Sequence, residues 1–541
     1  MNKLIQQTKK LFLSAQGGMF SSAMILSFMI IISRVFGFAR YRILASYFSK
    51  DQLDIFFASF RIPDLVFELL ITGAITSSLI PIYIRFSKDE KERANIMSSI
   101  FNIILILLIV SICVLLPLMS IIVPAITPGF HGEKLRLVIL FSQILLIGQL
   151  PFLVLGNFFT GMAQAKKQFL VTAIPPIVYN VSIIIATLFF ASTLGLYAPI
   201  FGVIAGAGLF ALIQLPAVID ELKDYRLRII SHLGVKDFFR MMGPRLLTIM
   251  VSQIDATIDL TLTTLLGSGA YTIFYFAQHL QLLPVSVIGM SFGQASLPYL
   301  SEMIESRKKE DFAHIVTESL LNVLFLTTPI AIYFIFARTP LVRMFFGGEQ
   351  FDWEATVQTA FLLSYFALSI PLHSIYYLLT RCFYALLDSK TPFVASIIGV
   401  VVNTALSLVA ILVLHLPVWS LGVSFSLSIG LQVGILFMLL HKKAPFNIVA
   451  FIYSFIKIIL AAVISAPIPY VLIKLMDNLL LDTTRTINIF LLLVISACTY
   501  FLLYLFVSWF IGVRELYIIT QLTVKAREFQ KKITEMYTSY D

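Results

Sequence analysis

Residues 95–123 read NIMSSIFNIILILLIVSICVLLPLMSIIV, a stretch without a single charged side chain. A helix crosses a bilayer with about 20 consecutive apolar residues, so this stretch predicts one transmembrane span. Across the 541-residue chain, hydrophobic residues make up 59% and charged residues only 13%. That charged fraction is about half the share found in soluble proteins. The sequence therefore predicts a polytopic membrane protein and excludes a cytosolic enzyme or a secreted domain.

Similar apolar runs, separated by loops that contain charged residues, Pro or Gly, fill most of the chain. We place fourteen of them, at residues 17–47, 54–85, 95–123, 134–163, 168–191, 196–219, 236–265, 268–303, 312–339, 354–387, 391–415, 418–441, 447–475 and 486–512. We refer to these runs as spans one to fourteen. The predicted fold class is an all-α polytopic membrane protein with about fourteen transmembrane helices.

The basic residues of the loops are unevenly distributed. If the N-terminus is cytoplasmic, the inside segments hold 25 lysines and arginines and the outside segments hold 7. This is the positive-inside pattern, so residues 1–16 and 513–541 are both predicted to be cytoplasmic. The net charge of +10 then reflects membrane orientation, and we expect no nucleic-acid partner. Apolar residues at helical spacing in 513–541 predict an amphipathic helix, which lies on the membrane interface or packs on a loop of the protein.

The chain also shows an internal repeat. Pro81 and Pro298 lie 217 residues apart, and each precedes a charged loop. Further along, AQAKKQF with Asn180 resembles LLDSKTPF with Asn403, at offsets of 223–224. The offsets predict two lobes of six spans, 17–219 and 220–441, in a parallel repeat about an axis along the membrane normal. Spans thirteen and fourteen, within 442–512, fall outside the repeat.

Ionised side chains inside the apolar runs are the best guide to function, since each costs about 2.5–3.5 kcal/mol at the bilayer centre. On an uninterrupted helix, span two would place Asp54, Arg61, Asp64 and Glu68 within about 80° of one another. This predicts one polar stripe facing a cavity, provided that Pro63 does not break the helix.

Span one adds Arg34 and Arg40 to the candidate cavity residues. An ideal helix separates them by about 120°, so they converge only if Gly37 bends the helix or the cavity is wide. Arg42 is better explained by its long side chain reaching the membrane interface.

Spans seven and eight carry further candidates. Asp255 and Asp259 are four residues apart on one helical face, where two carboxylates could bind a cation or a proton. His279 is either a cavity residue or a hydrogen-bonded contact between helices. The sequence contains no nucleotide-binding or hydrolase motif. We therefore expect a transporter rather than an enzyme, with any uphill step driven by an ion gradient or the membrane potential.

Several of these stretches resemble one family. They are SRVFGFAR (33–40), DIFFASFRIPDL (54–65), GAITSSLIPIY (73–83), SQIDATIDLTLTTLLGSG (252–269), QLLPVSVIG (281–289), QASLPYLS (294–301) and ALLDSKTPF (385–393). In this order, over residues 17–440, they resemble the MurJ/MviN family of lipid II flippases in the MOP exporter superfamily.

The resemblance implies two six-helix lobes around an alternating-access cavity, and a lipid-tail groove formed by spans thirteen and fourteen. It implies transport of the undecaprenyl-diphosphate-linked peptidoglycan precursor to the outer leaflet of the bacterial cytoplasmic membrane. Its partners would be this lipid-linked sugar diphosphate, membrane lipids and cell-wall synthesis enzymes. It implies Arg34, Arg40, Asp54, Arg61 and His279 as cavity residues, and the polar stripe of span two adds Glu68.

The resemblance also implies a candidate sodium site with Asp255 and Asn403, and no other cofactor; the spacing of the two carboxylates adds Asp259 to this site. An acidic ligand found in some members on span eleven is Ser407 here, however. Phe67, Leu260 and His279 stand where the family often has arginine. These departures leave other functions in competition: a flippase for another polyprenyl-diphosphate glycan of the O-antigen or teichuronic type, a MATE-like antiporter, or a non-transporting membrane scaffold.

Overall fold

The structure is a computed structural model that describes residues 19–72, 78–86, 88–305, 309–477, 481–483 and 485–520. Within these ranges the chain is almost entirely helical and contains no β-strand, which confirms the predicted all-α class. The predicted N-terminal segment 1–16 and most of the predicted tail helix lie outside the described residues.

The described residues of the first half of the chain form twelve helices. They are α1 (Met19–Tyr47), α2 (Lys50–Ala58), α3 (Arg61–Phe67), α4 (Ile80–Arg85), α5 (Glu90–Ile126), α6 (Gly132–Gly148), α7 (Leu150–Ala165), α8 (Phe169–Ala173), α9 (Pro175–Leu194), α10 (Tyr197–Leu212), α11 (Leu215–Lys223) and α12 (Leu233–Thr264). A π-helical segment, Glu68–Thr72, directly follows α3.

The second half, in its described ranges, forms ten more. They are α13 (Ala270–Pro284), α14 (Ser291–Glu305), α15 (Lys309–Phe336), α16 (Arg338–Phe346), α17 (Trp353–Ala385), α18 (Lys390–Leu408), α19 (Trp419–Lys443), α20 (Ile448–Ile464), α21 (Pro467–Leu475) and α22 (Thr486–Ile511). Two π-helical segments, Val285–Met290 and Val409–Val413, interrupt spans eight and eleven.

Within the described ranges, 10 helices are long and apolar enough to cross a membrane. The count is 11 if α10 and α11, bent by 59°, form one span. These helices correspond to predicted spans three to six and eight to fourteen. The polytopic class is confirmed. Spans one, two and seven are not among these helices, so the number fourteen stays a prediction.

The packing divides the chain into two compact units. The first unit comprises the described residues up to Tyr275 together with Phe345–Ala355, and the second comprises Phe276–Met344 and the described residues from Thr356 onward. Span seven belongs to the first unit because α12 packs against α5. The lobes predicted at 17–219 and 220–441, and the separate segment 442–512, stay predictions.

Span two is broken, which corrects the uninterrupted helix assumed for its polar stripe. α2 ends at Ala58, and α3 begins only at Arg61. Pro63 has no N–H to donate to the carbonyl of Ser59, four residues earlier. The hydroxyl of Ser142 donates to that carbonyl instead, at 3.0 Å. Asp54 and Arg61 therefore lie on separate helices.

Local breaks in the backbone recur at a nearly constant spacing. The π-helical segments Glu68–Thr72 and Val285–Met290 begin 217 residues apart. Lys167 and Leu387, 220 residues apart, both have positive φ, at 62° and 58°. After each, the next N–H donates to the carbonyl five residues back at 2.9 Å. The same turns thus recur near the offsets found in the sequence, which supports the internal repeat.

The start of the C-terminal tail packs on the protein itself. A 3₁₀ turn at Arg514–Leu516 follows α22, and Glu515 is buried. Within the second unit, the Tyr517 hydroxyl contacts Glu318 of α15 and accepts from Asn322 Nδ2 at 3.1 Å. The residues up to 520 therefore pack on α15, and the amphipathic tail helix over 513–541 stays a prediction.

Helices α9 and α10 cross closely at Gly202. A Cβ atom at this position would lie 2.7 Å from Ala186 Cβ and 2.9 Å from Ile183 Cα. Real Cβ atoms do not approach so closely, and a Cα atom cannot move aside as a side chain can. Gly202 therefore sets the distance between spans five and six.

We expect Gly202→Val to lower the free energy of unfolding by about 1–3 kcal/mol, because overpacking forces the two helices apart. Gly208→Val on the same helix is the matched control, since nothing lies within 4 Å of a Cβ there. It should change stability by less than about 0.5 kcal/mol. Thermal unfolding of both variants in detergent measures the difference, and equal destabilisation would contradict the close crossing at Gly202.

Candidate functional site

Four ionisable side chains from spans one and two lie together in the first unit. They are Arg40 of α1, Arg61 and Asp64 of α3, and Glu68 of the following π-helical segment. Asp64 interacts electrostatically with Arg61, Glu68 and Arg40. We call these four residues the charged cluster. The break in span two thus leaves Arg61 and Glu68 together, as predicted from the sequence, and separates them from Asp54.

Arg40 lies among tyrosine rings. Its guanidinium carbon is 4.6 Å from the centre of the Tyr41 ring, and it interacts electrostatically with Tyr179 and Tyr275. Its Nε is buried and has no hydrogen-bond acceptor among the described residues. A buried donor left unbonded costs about 1–3 kcal/mol, which an oxygen of an anionic ligand would offset.

Arg61 is held by span seven. Its Nε donates to Thr257 Oγ1 at 2.9 Å, and its Nη2 donates to the Gln253 carbonyl at 2.6 Å and to Gln253 Oε1 at 2.9 Å. Gln253 and Thr257 are one helical turn apart on α12, so both face α3. These contacts fix the direction of the guanidinium in the charged cluster.

The sequence analysis missed Gln253 and Thr257 because it followed the carboxylates of the same helix. At about 100° per residue, Asp255 and Asp259 lie about 200° and 240° around the helix from Gln253. The spacing of these two neutral polar residues, one helical turn apart, could have indicated that they share a polar partner. The tyrosines near Arg40 gave no comparable signal, since aromatic residues are frequent throughout the apolar runs.

Arg34 differs from Arg40 in its surroundings. α1 runs without interruption through Gly37, and Arg34 is exposed whereas Arg40 is part-buried. The separation of about 120° expected for an uninterrupted helix agrees with this difference. Arg34 as a cavity residue stays a prediction.

Asp54 occupies a closed site, and this corrects its expected place in the polar stripe. Its side chain is fully buried. Its Oδ2 accepts from Lys134 Nζ and from the Gly269 N–H, each at 2.8 Å. Its Oδ1 accepts from the Thr272 N–H at 2.8 Å and from the Thr272 hydroxyl at 2.7 Å. We call Asp54, Lys134, Gly269 and Thr272 the Asp54 lock.

The Asp54 lock joins three elements of the first unit. Asp54 lies on α2, Lys134 on the first turn of α6, and Gly269 and Thr272 at the start of α13. A carboxylate at a helix N-terminus satisfies N–H groups that lack a partner within the helix. With four hydrogen bonds on two oxygens, Asp54 has little capacity left for a ligand. Its geometry is that of a structural contact.

The predicted cation-site residues belong to different units. Asp259 is buried and Asp255 part-buried on α12 of the first unit, whereas Asn403 is buried on α18 of the second. In the part of the chain that the structure describes, no group of three or more His, Cys, Asp or Glu side chains could hold a metal ion. A sodium site at Asp255, Asp259 and Asn403 stays a prediction.

His279 is part-buried on α13, in the second unit. Two residues further on, Gln281 is fully buried, and its Nε2 lies 3.0 Å from Ser369 Oγ and 3.2 Å from His373 Nδ1 of α17. The sequence analysis missed this polar contact between spans eight and ten, because it followed the ionised side chains and Gln281 is neutral. Of the other departures from the family pattern, Leu260 is buried and Phe67 part-buried.

An all-α polytopic fold with part-buried ionised side chains among its spans is typical of membrane transporters. The structure resembles one solved as "Lipid II flippase MurJ, inward closed conformation", with a TM-score of 0.73 at 23% identity, covering 90% of this chain and 98% of that one. It also resembles an inward-facing MATE family multidrug resistance transporter of the MOP superfamily, with a TM-score of 0.67 at 13% identity, covering 78% and 98%. At these identities the likeness shows the fold.

The family itself is shown by the sequence. The family model described as "Lipid II flippase MurJ" matches residues 44–510, and the chain belongs to the MurJ family. A relative from Rickettsia prowazekii, named "Probable lipid II flippase MurJ", is 28% identical over 463 residues, which are 84% of this chain and 90% of that protein. The "Lipid II flippase MurJ" of Burkholderia cenocepacia is 27% identical over 443 residues, 79% and 85% of the two chains. The resemblance found in the sequence is confirmed.

Proposed function

We propose that this chain is a lipid II flippase of the bacterial inner membrane. It would carry the undecaprenyl-diphosphate-linked peptidoglycan precursor from the cytoplasmic to the outer leaflet by alternating access. Family membership and the names of the relatives support this cargo. The structural observation that carries the proposal is Arg40, part-buried in the charged cluster with an Nε donor that has no acceptor among the described residues.

A diphosphate headgroup needs cationic hydrogen-bond donors, and guanidinium groups suit phosphate oxygens. In this proposal Arg40 and Arg61 bind the diphosphate, and Arg34 and His279 add positive charge along its path. Asp64 and Glu68 keep the two guanidinium groups from repelling each other in the empty site. Asp54 has no part in binding, because its oxygens are already occupied within the Asp54 lock.

We also propose a source of energy for transport and a site for the lipid tail. Asp255, Asp259 and Asn403 are the candidate ligands for a coupling sodium ion, with the membrane potential as the other source of energy. Spans thirteen and fourteen, α20 to α22, would hold the lipid tail. The enzymes that consume the delivered precursor in cell-wall synthesis are the expected protein partners.

A second candidate cargo is another polyprenyl-diphosphate-linked glycan, motivated by Phe67, Leu260 and His279 at positions where the family often has arginine. Purified protein in liposomes, loaded on one side with either lipid II or an O-antigen-type lipid of the same diphosphate and chain length, separates the two. We expect lipid II to cross faster. Faster transport of the O-antigen-type lipid would assign the chain to the second cargo, and transport of neither would contradict both.

The proposed direction of transport requires both termini to be cytoplasmic. In a variant lacking Cys113, Cys382 and Cys498, we expect Arg136→Cys to react with an impermeant thiol reagent from outside intact cells. Leu387→Cys should react only after permeabilisation, although residue 387 is 95% exposed. The opposite labelling would contradict the positive-inside orientation.

A further inference from the structure

The segment between α11 and α12, residues 224–232, has no regular secondary structure and packs on the start of span three. It contains a tight turn in which the Arg228 N–H donates to the Arg226 carbonyl at 2.8 Å. Leu227 lies at the tip of this turn, and its side chain is 86% exposed. We call residues 226–230 the Leu227 turn. Turn tips that face water usually carry Gly, Pro, Asn, Asp or Ser, so a leucine at this tip indicates a less polar environment.

The backbone of the Leu227 turn is hydrogen-bonded to α5. Asn102 Nδ2 donates to the carbonyls of Arg226 and Arg228, at 2.9 and 3.1 Å. The Ile230 N–H donates to Ser99 Oγ at 3.1 Å. Irregular backbone at membrane depth requires that the protein satisfy its polar groups. These contacts meet much of that requirement, and they hold the tip of the turn on the side away from Asn102.

The same contacts place the Leu227 turn at the level of the membrane interface. The apolar stretch 95–123 of span three has 29 residues, a helix about 43 Å long. Centred on a hydrocarbon core of about 30 Å, it extends about 7 Å beyond the core at each end. Ser99 and Asn102 lie about 6 and 10 Å from its start, where headgroups meet acyl chains. The basic-residue pattern places this end of the span on the cytoplasmic side.

The exposed side chains of the Leu227 turn are apolar and basic. Ile229 is 53% exposed and adds to the apolar surface of Leu227. Arg226 and Arg228 are exposed, and neither guanidinium group forms a hydrogen bond or an ion pair with another described residue. Asp224 is the only carboxylate in the segment. Anionic lipids give the cytoplasmic leaflet a negative surface potential, which attracts arginines close to it. The charge of the turn therefore complements that of the leaflet.

We propose that the Leu227 turn is inserted into the cytoplasmic leaflet and binds anionic phospholipids. Leu227 and Ile229 contact the first carbons of the acyl chains, and Arg226 and Arg228 contact lipid phosphates on either side of the tip. Guanidinium groups suit phosphate oxygens because of their forked donors. The hydrogen bonds to α5 already hold the turn in place, so binding costs little conformational entropy.

The inserted turn would fix the connection between spans six and seven relative to the membrane surface. This role uses none of the residues of the charged cluster, and it does not depend on the identity of the transported lipid.

Fluorescence quenching of the full-length protein in lipid nanodiscs tests the proposal. In a variant lacking Cys113, Cys382 and Cys498, Leu227→Cys would carry the dye nitrobenzoxadiazole. With phosphatidylglycerol in the nanodisc, we expect lipids that bear a nitroxide near the top of the acyl chain to quench this dye, and acrylamide in the buffer to quench it little. Lys88→Cys is the control, because Lys88 is exposed in a predicted cytoplasmic loop. Its dye should be quenched by acrylamide and little by the lipid nitroxide.

The arginines are tested by their effect on this quenching. An arginine near an anionic surface favours membrane contact about fivefold. Arg226→Gln combined with Arg228→Gln should therefore shift the Leu227→Cys dye from lipid towards acrylamide quenching by at least about fivefold. Replacing phosphatidylglycerol with phosphatidylcholine should have a similar effect, and none in the double variant. Arg136→Gln, an exposed arginine at the opposite end of the spans, should leave the quenching unchanged.

Ile229→Cys is a second labelling position in case Leu227→Cys does not fold. Stronger quenching by acrylamide than by the lipid nitroxide would place the turn in water and overturn the proposal. Quenching by neither reagent would show that another protein segment covers the turn, and would overturn it as well. Equal lipid quenching with phosphatidylglycerol and phosphatidylcholine would contradict the binding of lipid phosphates by Arg226 and Arg228.

Discussion

Arg40→Ala is expected to lower the rate of lipid transport by about ten- to a hundredfold. Charge-assisted hydrogen bonds contribute about 1.5–3 kcal/mol each, which corresponds to this range of rates. The protein should still fold and insert, with a modest loss of thermal stability, because Arg40→Ala removes the contact with the Tyr41 ring and the interaction with Asp64. Transport in liposomes and thermal unfolding in detergent measure the two effects.

Two variants serve as controls for Arg40→Ala. Arg40→Lys keeps the charge but not the forked donor geometry, so it should retain part of the activity. Arg136→Ala removes an exposed arginine at the start of α6 and should transport as the wild type does. If Arg40→Ala and Arg136→Ala transported equally well, the charged cluster could not be the headgroup site.

Asp54→Asn is expected to destabilise the folded protein by about 3–5 kcal/mol, the usual cost of removing one partner from a buried ion pair. The amide has one acceptor oxygen in place of two, so it cannot serve Lys134, Gly269 and Thr272 together. Lys134, whose side chain is only 17% exposed, would lie beside an NH₂ group and keep only the half-exposed Asp51 of its two carboxylate partners. Thermal unfolding in detergent measures this loss.

Asp51→Asn is the matched control, because Asp51 pairs with the same Lys134 but is 48% exposed. Exposed ion pairs contribute about 0–1 kcal/mol, so this variant should be only slightly less stable than the wild type. A wild-type melting temperature for Asp54→Asn combined with lost transport would contradict the structural role of Asp54. It would support the cavity role that the sequence predicts.

The fold class follows from the sequence because an apolar run of 20 or more residues has few alternatives to a membrane span. The family follows from short motifs that keep their order along the chain. The grouping of Arg61, Asp64 and Glu68 was also accessible, because these residues are close in sequence and remain on adjacent turns after the break in span two.

The partners of Asp54 could not be predicted from the sequence in the same way. Pro63 indicated a break in span two, but the sequence did not show that Ser142 of another span donates a hydrogen bond to the freed carbonyl of Ser59. The partners of Asp54 at Lys134, Gly269 and Thr272 are 80 to 218 residues away along the chain. An ionised residue within an apolar run therefore indicates that a partner exists, and only the tertiary structure shows whether that partner is a ligand or another part of the protein.

Complementation of a conditional lipid II flippase mutant tests the proposed function most directly. With the native flippase depleted, cells that express this chain should grow and keep their shape, and cells that express Arg40→Ala at the same membrane level should not. Failure of the wild-type chain to restore growth, with the protein present in the membrane at the level of the native flippase, would contradict its assignment as a lipid II flippase.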